Sequence, residues 1–529
     1  MKWKNFFRYG LTAFLIVIFL LGANFVDATT KVFVGEGKYI MSDFENSEIA
    51  YQRAIQLAKE DAIYKSGIYL VDFSQSVNAK ITTDEILALT NNIIQFSDVK
   101  VANETSENST AILTATLNAK IDADSIFDFI KHANNEKITI VQQNETLKDA
   151  LTKNDAQIAD LKEKYNLATT QADKNKIRKQ VEQVDNEFLA IQNLAEGNRL
   201  AYVKNYEDAT KYYDESIKLN PNFVEAYKNR AVAYYNQHKY EQTIQDYTKV
   251  LEFNPYSAEI YCNRGRIYRY LRKYKQSVQD LTKAIELKPN YIEAYNNRAV
   301  TYRQMNKYDK AIQDYDKEIE LNPNSAQKYY NRGNTYFELE QYERAIQDYD
   351  TAIQMSPDYE EAYCKRGVSY YNLKQYERAI EDFDKAIQIN PNLSLAYNNR
   401  AGAYRNLNQN KRAVRDYSKV IELNSKSAQA YFNRGTFYDE LGKYKLAIED
   451  YIKAIQFNPK FDKAYYNLGQ NYSRLKKYKH AIENYTKIIE LKPDYGEIYY
   501  LRGKCYQELK DAEKSKADFD KAKKLGYKE

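Results

Sequence analysis

Few residues of this chain are of the kinds that do covalent or metal chemistry, and their spacing serves neither. The histidines are His132, His238 and His480, and the cysteines are Cys262, Cys364 and Cys505. No two histidines are spaced as zinc ligands, and no nucleophile elbow or Walker loop occurs. Gly35 and Gly37 flank Glu36 in a way that suggests a phosphate loop. No Lys-Ser or Lys-Thr pair follows them, so a strand bulge accounts better for the two glycines. Catalysis, a cofactor and a metal are therefore not expected. Chemistry of another kind recurs at a fixed interval: Asn229, Asn263, Asn297, Asn331, Asn399, Asn433 and Asn467 lie on one lattice, interrupted by Lys365. An amide both donates and accepts, so such a row can pair with a peptide backbone whatever its side chains. Equally, each Asn can solvate its surface or bond a neighbouring helix. Arg266, Arg269 and Arg303 add a basic stretch, suited to an acidic segment or to plain solvation.

The elements that must position these residues are written in proline. Pro221, Pro255, Pro289, Pro323, Pro357, Pro391, Pro459 and Pro493 are 34 residues apart, except where Ser425 stands in the gap. With Pro at position 32, units begin at Ala190, Val224, Ala258, Ile292, Ala326, Glu360, Ser394, Ala428, Asp462 and Gly496. Positions 4 and 11 are Tyr from the second unit on, position 8 is Gly or Ala, position 20 is usually Ala and position 24 is aromatic except at Leu281. These positions trace the packing faces of two successive helices, and the small residue at position 8 lets the partner helix approach. Proline ends the second helix because the residue before it is pushed out of the α region. Most of the 52 tyrosines are thereby explained as packing. Lys516 and Lys523, in the last unit, replace apolar residues and read as a soluble cap.

Position 7 is Arg at Arg230, Arg264, Arg298, Arg332, Arg366, Arg400, Arg434 and Arg502, and position 23 of the same units is Asp, from Asp246 to Asp518. The ninth unit has Leu468 with Asn484, and the first has Glu196 with Tyr212, so the two positions are kept or lost together. That correlation predicts a partly buried Arg–Asp pair joining the two helices of each unit, more geometric than energetic in its role.

These residues resemble the tetratricopeptide-repeat (TPR) signature over residues 190–529. The resemblance implies a mainly α fold, an α-α superhelix of ten hairpins, with partner proteins or extended peptides held in a concave groove. The Asn row is similar to the asparagine ladder of the O-GlcNAc transferase repeat domain, although that enzyme's catalytic domain has no counterpart here. Helices that pack about 8 to 10 Å apart advance by about three residues of extended chain, at about 3.3 Å each. The carboxylate-clamp pattern of the family fails, because Lys228 is followed by Val232.

Ahead of the repeats, Lys2, Lys4 and Arg8 precede an apolar run from Leu11 to Leu21 and then Val26-Asp27-Ala28, which reads as a signal peptide over residues 1–28. An uncleaved anchor is the alternative, and only then is a membrane a partner. Either way the chain is expected to be exported, to the periplasm or cell envelope. Residues 29–135 read as a small α/β domain, with strands at Lys31–Met41, Phe96–Ala102 and Ala111–Ile121 and helices at Ser47–Lys65 and Thr83–Ile94. This block resembles the N-terminal domain of flagellar assembly protein T. Residues 136–189 contain neither Pro nor Gly, and Leu147, Leu151, Ile158, Leu161 and Tyr165 follow heptad spacing with Asn154 at one core site. The phase slips near Thr169–Asn175, so the arm is either one interrupted coiled coil or a hairpin. It either dimerises the protein or packs on the first repeat. Cys262 and Cys364 sit three units apart, beyond the roughly 7 Å that a disulfide spans. A formal charge of +5, spread evenly, excludes a nucleic-acid footprint. Two functions follow: an exported scaffold binding polypeptides along its repeats, or a membrane-anchored assembly factor that self-associates through its N-terminal domain and arm.

Overall fold

The structure is a computed structural model that describes residues 31–76, 94–105, 111–121 and 123–528. The signal segment expected at 1–28 and, but for Ile94, the helix expected over 83–94 lie outside them. The chain divides into two compact units, Met1–Ile260 and Tyr261–Glu529.

In the first unit, β1 (Lys31–Met41), β2 (Gln95–Thr105) and β3 (Ala111–Ile121) form an antiparallel sheet in the order β1-β3-β2. Alternation along β3 buries Leu113, Ala115, Leu117, Ala119 and Ile121 against α1 (Ser47–Ser76). Ala50, Ala54, Ala58 and Ala62, one helical turn apart, make a flat stripe on α1 that belongs to the same core. The bulge expected at Gly35 and Gly37 is not there. β1 pairs without a break through Gly35↔Leu117 and Gly37↔Ala115. The glycines answer instead to the closeness of α1: a Cβ at Gly35 would stand 2.1 Å from the Ala58 carbonyl oxygen, and one at Gly37 would stand 2.4 Å from that of Ala54. The ladder's irregularity lies in β2, between Ser97 and Lys100, where Asp98 is left-handed.

The helices α2 (Ala123–Leu167) and α3 (Gln171–Tyr202) resolve the two readings of the arm as a hairpin. The phase slip is its turn, because Thr170 caps α3 by accepting from the Asp173 N–H. Ile158 and Leu161 pack there against Ile177, Val181 and Val184. Lower down, Leu147 joins Ile191, Leu194, Ala209 and Tyr213, so the hairpin packs on the first repeat. The division expected between 189 and 190 falls inside α3, which serves as second helix of the arm and first helix of repeat one.

From the second on, each repeat is a pair of short helices, as in repeat five with Ala326–Glu338 and Tyr342–Met355. The turn between the two helices places one residue in the left-handed region at each step, among them Asn306, Glu340, Lys374, Asn408 and Gly442. Position 20 is fully buried at Ala311, Ala345, Ala379, Ala413, Ala447 and Ala481. The expected role of position 8 holds. A Cβ at Gly333 would lie 2.9 Å from the Tyr349 ring, and one at Gly469 would lie 2.6 Å from that of Tyr485. Lys516 and Lys523 of the last repeat are exposed.

Candidate functional site

The first helix of each repeat carries two sets of polar residues, one turned inward and one toward the surface. The inward set is the Arg–Asp pair, and all eight expected pairs form. In each the guanidinium grips the carboxylate with two bonds, Nε to Oδ2 at 2.7–2.9 Å and Nη2 to Oδ1 at 2.6–2.8 Å. Burial pushes the Asp348 carboxyl up and Arg332 pulls it back, while that carboxylate in turn raises the Arg332 guanidinium. The tyrosines at positions 4 and 11 flank the cation: Arg332 stands 5.7 Å from the Tyr329 ring centre and 6.0 Å from that of Tyr336.

The sequence reading missed the third nitrogen. Nη1 reaches position 25 of the preceding repeat, to Asp214 from Arg230, Asp316 from Arg332, Asp350 from Arg366 and Asp384 from Arg400. Thr282, Ser418 and Thr486 serve Arg298, Arg434 and Arg502 in the same way. Each of these seven arginines therefore closes its own hairpin and ties it to its neighbour. A signal was present: position 25 of repeat eight is Ile452, and the Arg it would have met is Leu468.

The outward set is the Asn row. In the second unit, Asn263, Asn331, Asn399, Asn433 and Asn467 are half-buried, as is Lys365, while Asn297 is buried. Asn229, in the first unit, is buried and donates to the Asn198 amide oxygen. Several of these amides are held from below by the repeat before them. Asn433 Nδ2 donates to the Tyr417 hydroxyl at 3.1 Å, Asn467 Nδ2 to that of Tyr451 at 3.2 Å, and Asn297 and Asn399 lean on the Cys262 and Cys364 sulfurs. Gln327 and Gln429, one turn back, donate to Asn331 and Asn433. The Lys365 ammonium sits 5.2 Å from the Phe337 ring centre. The thiols under the row are inert, because burial pushes Cys262 up to about 12 and Cys364 up to about 11.

Arg266, Arg269 and Arg303 are half-buried on the same face. Arg266 approaches Glu293 at 3.7 Å, and Arg269 lies over the Tyr270 ring. Farther along, the face neutralises its own charge between adjacent repeats, with Arg405 on Glu440 and Arg474 on Asp439. A shallow recess of about 550 Å³ lies elsewhere, between the helices of repeat one, and its charges are paired as Arg199 with Glu196 and Lys211 with Asp208. Among the described residues, no group of three or more His, Cys, Asp or Glu is placed to hold a metal ion. No described helix is long and apolar enough to cross a membrane.

Comparison with known proteins finds tetratricopeptide repeats along this region, some matches in the 34-residue register and others starting inside a unit. One tetratricopeptide repeat model matches residues 224–257, 258–291, 292–325, 360–393, 428–461 and 462–495, and others match 314–347, 383–415 and 496–525. A further TPR repeat model matches 333–374. A curated relative, Hsp70-Hsp90 organizing protein 3 of Arabidopsis thaliana, is 39% identical over 64 residues, which is 12% of this chain and 12% of that protein. Among solved structures, a MamA protein is 27% identical with a TM-score of 0.30, covering 32% of this chain and 94% of that one. A tetratricopeptide repeat protein of Parabacteroides merdae is 22% identical with a TM-score of 0.38, covering 47% and 98%. Through residues 224–525, this chain belongs to the tetratricopeptide-repeat family.

Proposed function

We propose that this chain is an exported scaffold that holds partner polypeptides, in extended form, along the Asn face of its repeats. The observation that carries the reading is the recurrence of a half-buried amide at one position of successive first helices, several of them held by a bond from a neighbouring side chain. An amide has two N–H donors and an oxygen with two lone pairs, so one internal bond orients it without exhausting that capacity. Preorganised donors and acceptors spare a peptide part of the ordering cost of binding. Membership in a repeat family whose fold typically serves as an interaction scaffold supports the same conclusion. Self-association through the arm is the weaker reading, because Ile158, Leu161, Ile177, Val181 and Val184 already cover one another within the chain.

Crosslinked capture from periplasmic extract with the full-length chain tests this. Changing Asn331, Asn399 and Asn467 together to Ala is expected to lose the captured polypeptides. Unchanged capture would remove the Asn face from the function. Export is read separately by cell fractionation: release with the soluble periplasmic proteins is expected, and recovery in the cytoplasm would refute it.

A further inference from the structure

We infer that the stretch of this face across repeats three to five takes an acidic extended segment, with carboxylates three residues apart that engage Arg269 and Arg303. The inference rests on the peptide-holding reading and adds its charge and spacing.

Farther along the face arginines have their own carboxylates, Arg405 with Glu440 and Arg474 with Asp439, and within this stretch Arg266 has Glu293. Among the described residues none lies within 4.0 Å of Arg269 or Arg303. The place that supplies Glu440 to Arg405 holds Gln304 for Arg269, and for Arg303 it holds Glu338, which does not close on it. Near the two cations lies Tyr315, fully buried, with a hydroxyl that closes no hydrogen bond of good geometry although Arg303 approaches it. Three of its counterparts are satisfied. Tyr349 donates to Asn334, while Tyr417 and Tyr451 accept from Asn433 and Asn467. Val300 stands where repeat five has Asn334, so Tyr315 lacks that amide. Burial pushes the Tyr315 phenol up and the nearby Glu318 carboxylate adds to this, while Arg303, which approaches the hydroxyl, and the more weakly felt Arg269 pull it back. The buried Arg269 Nε also has no acceptor.

The place is therefore rich in donors and poor in acceptors, and buried polar groups of a native protein rarely stay unpaired. An anionic ligand can reach the half-buried guanidiniums, though not the covered Arg269 Nε or Tyr315 hydroxyl, and carboxylates match the planar guanidinium fork. Arg269 and Arg303 occupy the same position of successive repeats. A packing step of about 8 to 10 Å is about three residues of a polyproline-II chain, which rises about 3.1 Å per residue and returns every third side chain to the same side, and this sets the spacing of the acids. The slight net charge of +5 argues against a nucleic-acid strand as the occupant.

Fluorescence anisotropy of the full-length chain tests this with three labelled synthetic peptides: Glu at i and i+3, Gln at those places, and Glu at i and i+1. The first is expected to bind at least about tenfold more tightly than the second, and more tightly than the third, with a preference that fades in high salt. Arg269→Gln and Arg303→Gln are each expected to abolish the preference and Arg405→Gln to keep it, with circular dichroism melts checking that each variant folds. Equal binding of the Glu and Gln peptides would overturn the inference, as would equal loss in Arg405→Gln. A single-stranded oligonucleotide bound with the same dependence on Arg269 and Arg303 would also overturn it, assigning the site to phosphates. If the Gln peptide binds and the Asn331, Asn399 and Asn467 changes weaken it, the peptide-holding reading stands and only this inference fails. If no peptide binds, both fail.

Discussion

At position 27, where the other repeats from two on place Ala, Val or Ile, repeat four buries Glu318, and at position 3 of the next repeat Lys328 is buried where most repeats have Ala. The Glu318 carboxylate takes one bond from Asn296 Nδ2 at 3.1 Å, while the Lys328 ammonium bonds the Glu318 and Asn322 carbonyls at 3.4 and 3.1 Å. Burial raises the Glu318 carboxyl above its ordinary 4.5, and Asn296 and Lys328 offset this only in part. For a carboxyl raised in the folded state, the favourable contribution is fully present below the unfolded value and is lost as pH rises through the folded one. Glu318→Gln keeps the bond from Asn296 and does not titrate, so it is expected to gain on the wild type as pH goes from about 4 to 7. Urea unfolding at both pH values measures the difference. A gap that stays constant would mean that Glu318 holds its ordinary proton affinity. This pair was invisible to a reading of average positions, because its two members are single departures from the repeat pattern in different repeats.

At the scale of the helix pair, the sequence read well where two positions vary together and poorly where a third joins them. The fork from position 7 to position 23 was legible because repeats one and nine lose both ends at once. Its link to position 25 was not, because Asp, Thr and Ser all accept the bond and only Ile452 breaks the polar series. Repeat nine shows the apolar solution in full. Leu468 is buried among Ala447, Ile448 and Tyr451, and Asn484 bonds back to the His480 carbonyl. Removing one partner of a buried ion pair strands the other charge, whereas replacing the set by apolar groups of similar volume is often neutral. Arg332→Leu alone, leaving Asp348 buried and uncompensated, is expected to cost about 3 kcal/mol. Adding Asp348→Asn and Asp316→Ile, which copies repeat nine, is expected to recover most of that. Chemical denaturation of the single and triple variants decides the matter. A triple variant as weak as the single one would mean that the forks supply net stability rather than geometry.

Across the whole chain, legibility follows how local the contacts are. A repeat array touches only its neighbours, so its register could be read from a 34-residue lattice, and even the turn chemistry recurs. The N-terminal block is fastened by contacts of the opposite kind. Arg53 on α1 is 2% exposed, bonds Asn154 at 2.9 Å and Asp185 at 3.2 Å, more than 100 residues away, and lies 4.4 Å from the Phe188 ring centre. Asn154 completes the lock by donating to the Val184 carbonyl at 2.7 Å. Nothing in the spacing of Arg53 announces those partners, and the heptad phase that brought Asn154 to notice left open whether it faced another chain or the first repeat. Burial pushes the Asp185 carboxyl up while Arg53 pulls it back, so losing the guanidinium leaves an acid in an apolar seam. Arg53→Ala is therefore expected to loosen the sheet block by about 3 kcal/mol, seen as faster amide exchange in β1, α1 and the middle of α2 and α3. Amides of residues 261–529 are expected to exchange at their former rates, because the stability of stacked repeats is a sum of neighbour terms that this contact does not enter. Equal deprotection throughout would show instead that the array and the sheet block fold as one cooperative body.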